Sequence, residues 1–265
     1  VWEEVVPPEG PNAGTEGIDT RRCWSDFMHW YTAWLDEVTQ RSLAAARGET
    51  GKPLAVMLGG PKVGPGQGIS LGNVGPVVKL LAAVRPAFLS DTDSQTLFSG
   101  KYTRTACSQY GIDLMLENVG PPYLEVFHQY NTVINALACG ADAVHLAHWG
   151  ELYDTKTWFG RTWAELAPLL HRYRTTYQRT DTVVLHSYMT SWYRPERANV
   201  DALRLYDRSN ALWYPGRDYP SWGRALGGPD VVDDIMVEDG ALRDRRLLVI
   251  PNSSVTVTSR RAVEA

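Results

Sequence analysis

Four times between residues 53 and 149 a short apolar run gives way to a helical pattern, and this rhythm constrains the fold more than any other feature of the chain. The run Pro53-Leu-Ala-Val-Met-Leu58 is continuously apolar and ends in Gly59-Gly60, as a strand buried on both faces of a parallel sheet does. Further strands are expected at 86–90, 112–116 and 143–149. The helices between them are expected around 77–84, over 94–110 with Gly111 as the stop, and from Pro121-Pro122 to Gly140. Upstream, Trp24, Phe27, Met28, Tyr31, Leu35, Val38 and Leu43 recur at helical spacing as far as Gly48, after a Pro- and Gly-rich loop over 7–17. Downstream, a capping-box pattern at Thr162-Trp-Ala-Glu165 predicts a helix to about Gln178. A second βα rhythm follows, with strands at 182–186, 231–236 and 247–250. The expectation is an α/β protein in two parts, 1–180 and 181–265, the second resembling the start of a flavodoxin-like or Rossmann-like domain. Val at the first position and a helix just beginning at the last suggest a piece of a larger protein.

The composition, 44% hydrophobic and 21% charged in 265 residues, is that of a folded globular chain. A net charge of -4 with scattered basic residues gives no drive toward nucleic acid. No apolar run approaches the roughly 20 residues needed to span a bilayer, and VWEEVVPPEG has neither the basic nor the apolar part of a secretory leader. The expectation is a soluble chain, with the cytoplasm favoured. Cys23, Cys107 and Cys139 show no CxxC spacing and are expected as buried free thiols on helices. Ten Trp and thirteen Tyr supply many flat surfaces of the kind that stack on sugars, though most serve packing.

In parallel α/β folds the carboxyl ends of the strands carry the active site. The candidates there are Gly60 to Gln67 in the loop after the first strand, Asp91 with Asp93, Glu117 with Asn118, and His148, Trp149 and Glu151. Glu117 stands out because it closes the apolar run 112–116 and is followed by a Gly-Pro-Pro turn, which sets a carboxylate at the mouth of the sheet. The alternatives for it are a cap on the next helix or a partner for an Arg. Asp91 and Asp93 suit sugar hydroxyls, although Ser94 also has the place of a helix N-cap that Asp93 would assist. His145 and His148 in HLAH fall on opposite faces of a strand, which argues against a metal. GPGQG at 64–68 lacks the GK[ST] ending of a phosphate loop.

The segments WEEVVPPEGPN, RRCWSDFMHWYTAWL, LMLENVGPP and ADAVHLAHW, in that order, resemble the glycoside hydrolase family 42 β-galactosidases or a near relative. The matching residues are Trp2 with Pro7-Pro8, Arg22 with Phe27 and Trp30, Glu117, and Gly140-Ala-Asp142 with Trp149. The resemblance implies the C-terminal half of a (β/α)8 TIM barrel followed by a partial flavodoxin-like domain. It also implies a galactoside-like carbohydrate substrate and retaining hydrolysis by double displacement with Glu117 as nucleophile. Gln67, Asp91, Asp93, Asn118, His148 and Trp149 would bind the sugar. Oligomerisation would run through the flavodoxin-like domain.

The family's acid/base Glu ends the fourth barrel strand, upstream of the Trp and Pro-Pro motif, so the resemblance puts it outside these residues. A retaining glycosidase needs its two carboxyl groups about 5–5.5 Å apart. General-acid help is worth on the order of 100- to 10,000-fold in rate, so these residues alone are expected to be nearly inactive. The cysteine zinc cluster of some family members has no counterpart here, and neither metal nor cofactor is implied. The alternative is a non-catalytic carbohydrate-binding or assembly module on a relic barrel.

Overall fold

The computed structural model describes residues 17–58, 74–91, 97–118, 126–146, 156, 158–173, 176–188, 228–250 and 257–264. In chain order the elements are α1 (Ile18–Glu49), β1 (Leu54–Leu58), α2 (Val74–Ala82), β2 (Ala87–Asp91), α3 (Leu97–Tyr110), β3 (Asp113–Asn118) and α4 (Val126–Cys139). There follow β4 (Ala143–Leu146), α5 (Trp158–Arg172), β5 (Thr182–Leu185), β6 (Asp230–Val232), α6 (Asp234–Glu238), β7 (Leu247–Val249) and α7 (Val257–Glu264). All strand pairs are parallel. They form two sheets, one in the order β1-β2-β3-β4 and one in the order β6-β5-β7. The chain is therefore the mixed α/β protein that its alternation predicted. Among the described residues no helix is long and apolar enough to cross a membrane.

Several boundaries differ from the sequence expectation, each for a physical reason. β3 runs on to Asn118, because its ladder continues past the apolar residues: Glu117 pairs with His145 and Asn118 with Leu146. The helix expected from Thr162 begins at Trp158 and ends at Arg172, and Thr162 lies buried inside it. The expected strand 231–236 stops at Val232. There Asp233 takes extended dihedrals and accepts a hydrogen bond from the Met236 amide at 2.9 Å, which caps α6. Cys107 and Cys139 are buried as expected, but Cys23 is exposed, since the first turns of α1 bury only a narrow strip around Trp24, Ser25 and Met28.

Consecutive helices from α1 to α5 pack on one another, forming a single layer along one face of the first sheet. Leu89, Leu114 and Leu116 point into that layer and are fully buried. The second sheet lies on the far side of the same layer, with β6 against α3. Helix α3 is consequently enclosed by both sheets. This explains why Lys101, Thr103 and Thr105 are buried alongside Phe98, Tyr102, Ala106 and Cys107, and why its sequence is not amphipathic. One hydrophobic core runs from Leu89 through Tyr102 to Val231 and Met236.

Two buried carboxylates at this junction gather several donors each. The Asp233 carboxylate accepts hydrogen bonds from the Gly75 amide at the start of α2 (2.8 Å), from Tyr102 Oη on α3 (2.8 Å) and from its own helix. A Cβ on Gly75 would stand 2.4 Å from Asp233 Oδ2, so only glycine allows this approach. Asp230 Oδ2 accepts from Tyr177 Oη (2.5 Å), Arg245 Nη1 (2.6 Å) and the Thr180 amide (3.1 Å), and Lys101 Nζ stands 3.9 Å from Oδ1. Burial, reinforced by the Asp230 charge, pushes the Tyr177 phenol up to about 12. At the end of α1, Arg47 donates to the carbonyls of Thr50, Lys52, Val84 and Pro86, tying that helix to the start of β2.

Two predictions follow from this packing. Replacing Gly75 by Ala forces Asp233 away from α2 and is expected to cost about 2–3 kcal/mol. Gly51→Ala, where a Cβ meets nothing within 4 Å, is expected to be neutral, and urea unfolding of the two variants separates the cases.

Burial holds the Asp36 carboxyl up at about 6, against 3.8 for the free group. A raised carboxyl pKa means that the folded chain binds protons more tightly than the unfolded chain between pH 4 and 6. Its contribution is fully present below pH 4 and is lost as pH rises through 6. Asp36→Asn should match the wild type at pH 4 and exceed it at pH 7 by on the order of 1 kcal/mol, or about 2–4 °C in Tm, after allowance for solvent screening. Equal Tm values for the two proteins at pH 7 would contradict the assignment.

Candidate functional site

The carboxyl ends of the first sheet are Leu58, Asp91, Asn118 and Leu146, lying side by side on neighbouring strands. Strand pleating sorts the positions into two faces. Leu89, Leu114 and Leu116 belong to the face under the helix layer. The alternate positions Ala55, Met57, Phe88, Ser90, Asp113 and Met115 form the opposite face. Exposure on that face is uneven: Met57 is 59% exposed, Ala55 and Asp113 are exposed, Phe88 and Met115 are half-buried, and Ser90 is buried. Position 117 comes two residues after Met115 at the carboxyl end of β3, in register with His145. By backbone register it falls on this face of the sheet.

Of the sequence candidates, the structure brings the backbones of Asp91, Glu117 and Asn118 to one end of two paired strands, with Asp91 beside Leu116. The pleat separates them, since positions 91 and 118 alternate with 117. Gly60 to Gln67, Asp93, His148, Trp149 and Glu151 lie outside the described residues, as do Trp2, Pro7 and Pro8. On α1, Arg22 is exposed, and Phe27 packs against Trp24 and Trp30 with ring centroids 5.7 and 5.9 Å apart.

Asp142 belongs to the opposite end of the sheet. Its Oδ2 accepts from the Leu114 amide (2.9 Å) and from Arg104 Nη1 (2.6 Å), while its own amide donates to the Leu114 carbonyl. The preceding Gly140 has φ +69°, and a Cβ there would lie 2.5 Å from the Tyr177 amide nitrogen. The Gly140-Ala-Asp142 motif thus joins β3 to β4 and admits the 176–177 backbone. Its role here is architectural. A cavity of about 280 Å³ between α4, β4 and α5, lined by Ala136, Ala141, Val144, Ala167, Leu170 and His171, also lies toward this amino end.

Sequence reading missed a second group of ionisable side chains, after β5 and β6. His186 is buried edge-on to Phe98 (5.3 Å) and Tyr102 (5.2 Å), and burial pushes it down to about 4, which keeps the imidazole neutral at pH 7. Burial holds the neighbouring Asp233 up at about 6 despite its three hydrogen bonds. Asp234 accepts from Ser187 Oγ (2.7 Å) and from the Tyr188 amide (3.1 Å). The doublet Asp233-Asp234 directly after Val231-Val232 was the available signal. These hydrogen bonds are internal and hold the strand ends of the second sheet together. Among the described residues, no group of three His, Cys, Asp or Glu is placed to hold a metal ion.

In comparisons with protein-family models, with curated proteins and with solved structures, the chain matches none.

Proposed function

We propose that the chain forms the C-terminal half of a (β/α)8 barrel of a retaining, β-galactosidase-like glycoside hydrolase, followed by the beginning of a flavodoxin-like domain, with Glu117 as the nucleophile. The observation that carries this reading is the position of Glu117. It stands at the carboxyl end of the third of four consecutive parallel strands, on the face that the helix layer leaves open.

A sheet with strands in sequential order and helices along one face curls toward closure, and about eight strands close it with side chains filling the interior. Four such strands with an open apolar face therefore suit one half of a barrel. The order β6-β5-β7 is that of the first three strands of a flavodoxin-like sheet.

In the proposed reaction the Glu117 carboxylate attacks the anomeric carbon as the bond to the leaving oxygen breaks. A carboxylic acid on a strand outside these residues delivers its proton to that oxygen. The same group then takes a proton from water, and the water oxygen displaces Glu117 and releases the sugar with its configuration retained.

Treating the full-length polypeptide that carries these residues with an activated 2-deoxy-2-fluoro-galactoside, followed by peptide mass mapping, should find the label on Glu117. Glu117→Gln should reduce turnover of an aryl galactoside at least about a thousandfold. A label on another carboxylate would remove Glu117 from the role. A polypeptide that neither labels nor cleaves any glycoside would favour a binding or assembly module.

A further inference from the structure

Ser90 precedes the last residue of β2, with its Cα in register with those of Met57 and Met115. It is 2% exposed, and its Oγ meets no hydrogen-bond partner among the described residues. Native structures seldom leave a buried hydroxyl unpaired, because removal from water without a replacement bond is costly. Other buried polar atoms without partners belong to different settings. The indole nitrogens of Trp24 and Trp163 sit on helices, and Arg104, Asp230 and Asp234 are bonded through their remaining atoms. Ser90 among these is on the face of the first sheet away from the helix layer, one strand from Glu117.

We propose that Ser90 is a substrate-binding residue, pairing with a hydroxyl of a neutral, polyhydroxylated ligand that enters from the carboxyl end of the strands. The inference rests on the glycosidase reading and deepens it. A serine hydroxyl both donates and accepts, as a sugar hydroxyl does, whereas an ammonium or a carboxylate offers only one of these capacities. The register neighbours Met57 and Met115 bring no charge that would attract an ion, and their apolar side chains suit the apolar face of a sugar ring. Ser90 lies in register two residues short of Glu117, roughly 7 Å deeper along the strand axis. It would thus meet the ligand more deeply along the strands than the proposed nucleophile does. A site residue of this kind detracts from the stability of the unliganded protein and contributes on binding.

Ser90→Ala in the full-length polypeptide tests this with two readouts. Thermal unfolding should show a Tm equal to or above that of the wild type, because an unpaired hydroxyl is removed. The value of kcat/KM for 4-nitrophenyl β-galactoside should fall about tenfold. Across the 2-, 3-, 4- and 6-deoxy analogues, wild type and variant should converge on the one sugar lacking the partner hydroxyl. A lowered Tm would show a structural hydroxyl and overturn the proposal. So would unchanged kinetics, the mark of a site filled by water only, or an equal loss on every analogue. In those cases cleavage by the wild type leaves the Glu117 reading standing. A wild type that cleaves none of these glycosides removes both.

Discussion

Asp233 carries a carboxyl group with no exposure to the one point where α2, α3 and α6 meet, and the joining of the two sheets depends on how that group is satisfied. Desolvating a carboxylate is costly, and three donors drawn from three different helices offset that cost only while all of them converge. The same geometry dictates glycine at position 75 and places the Tyr102 ring beside His186. Burial also disfavours the charged form of each group at this junction, raising the Asp233 pKa and lowering that of His186. The Asp230 cluster meets the burial of its carboxylate with a counter-ion, Arg245.

The local parts of the fold were legible because each strand or helix announces itself through its own residues. Gly111 and Gly140 end helices with φ of +66° and +69°, as glycine allows, and the apolar runs at 53–58 and 112–116 became β1 and β3 of one sheet. What escaped reading depended on partners remote in sequence. Asn118 extends β3 because Leu146 lies opposite it, and no property of residue 118 alone foretells that. Thr162 and Glu165 have the spacing of a cap, yet Trp163 and Leu166 pack against Val133, and the helix that serves this contact starts one turn earlier. Lys101 and Thr105 look like the polar face of an ordinary surface helix until the second sheet is laid over them.

The site was legible in a similarly uneven way. Glu117 could be singled out because a charged residue ending an apolar strand is conspicuous in sequence. Asp91 and Asn118 share its end of the sheet, but the alternation of the pleat sets them apart from it, which a list of strand-end residues does not reveal. Ser90 carried no signal, since a lone serine within an apolar strand is unremarkable until its burial and lack of a partner are known. Asp142, part of the Gly140-Ala-Asp142 match, has a structural duty through its bonds to Leu114 and Arg104.

Asp142 and Glu117 together indicate how the two ends of the first sheet divide their tasks. At the amino end, Arg47, Arg104, Asp142 and the backbone at Gly140 bind strand starts to helix ends through charged or close-packed contacts. Those contacts anchor strand starts of the first sheet. Register fixed at one end determines, through the pleat, which face each residue takes at the other. By backbone register, position 117 falls on the face away from the helix layer because Leu114 and Leu116 are held on the buried one, and a slip of one residue would exchange them.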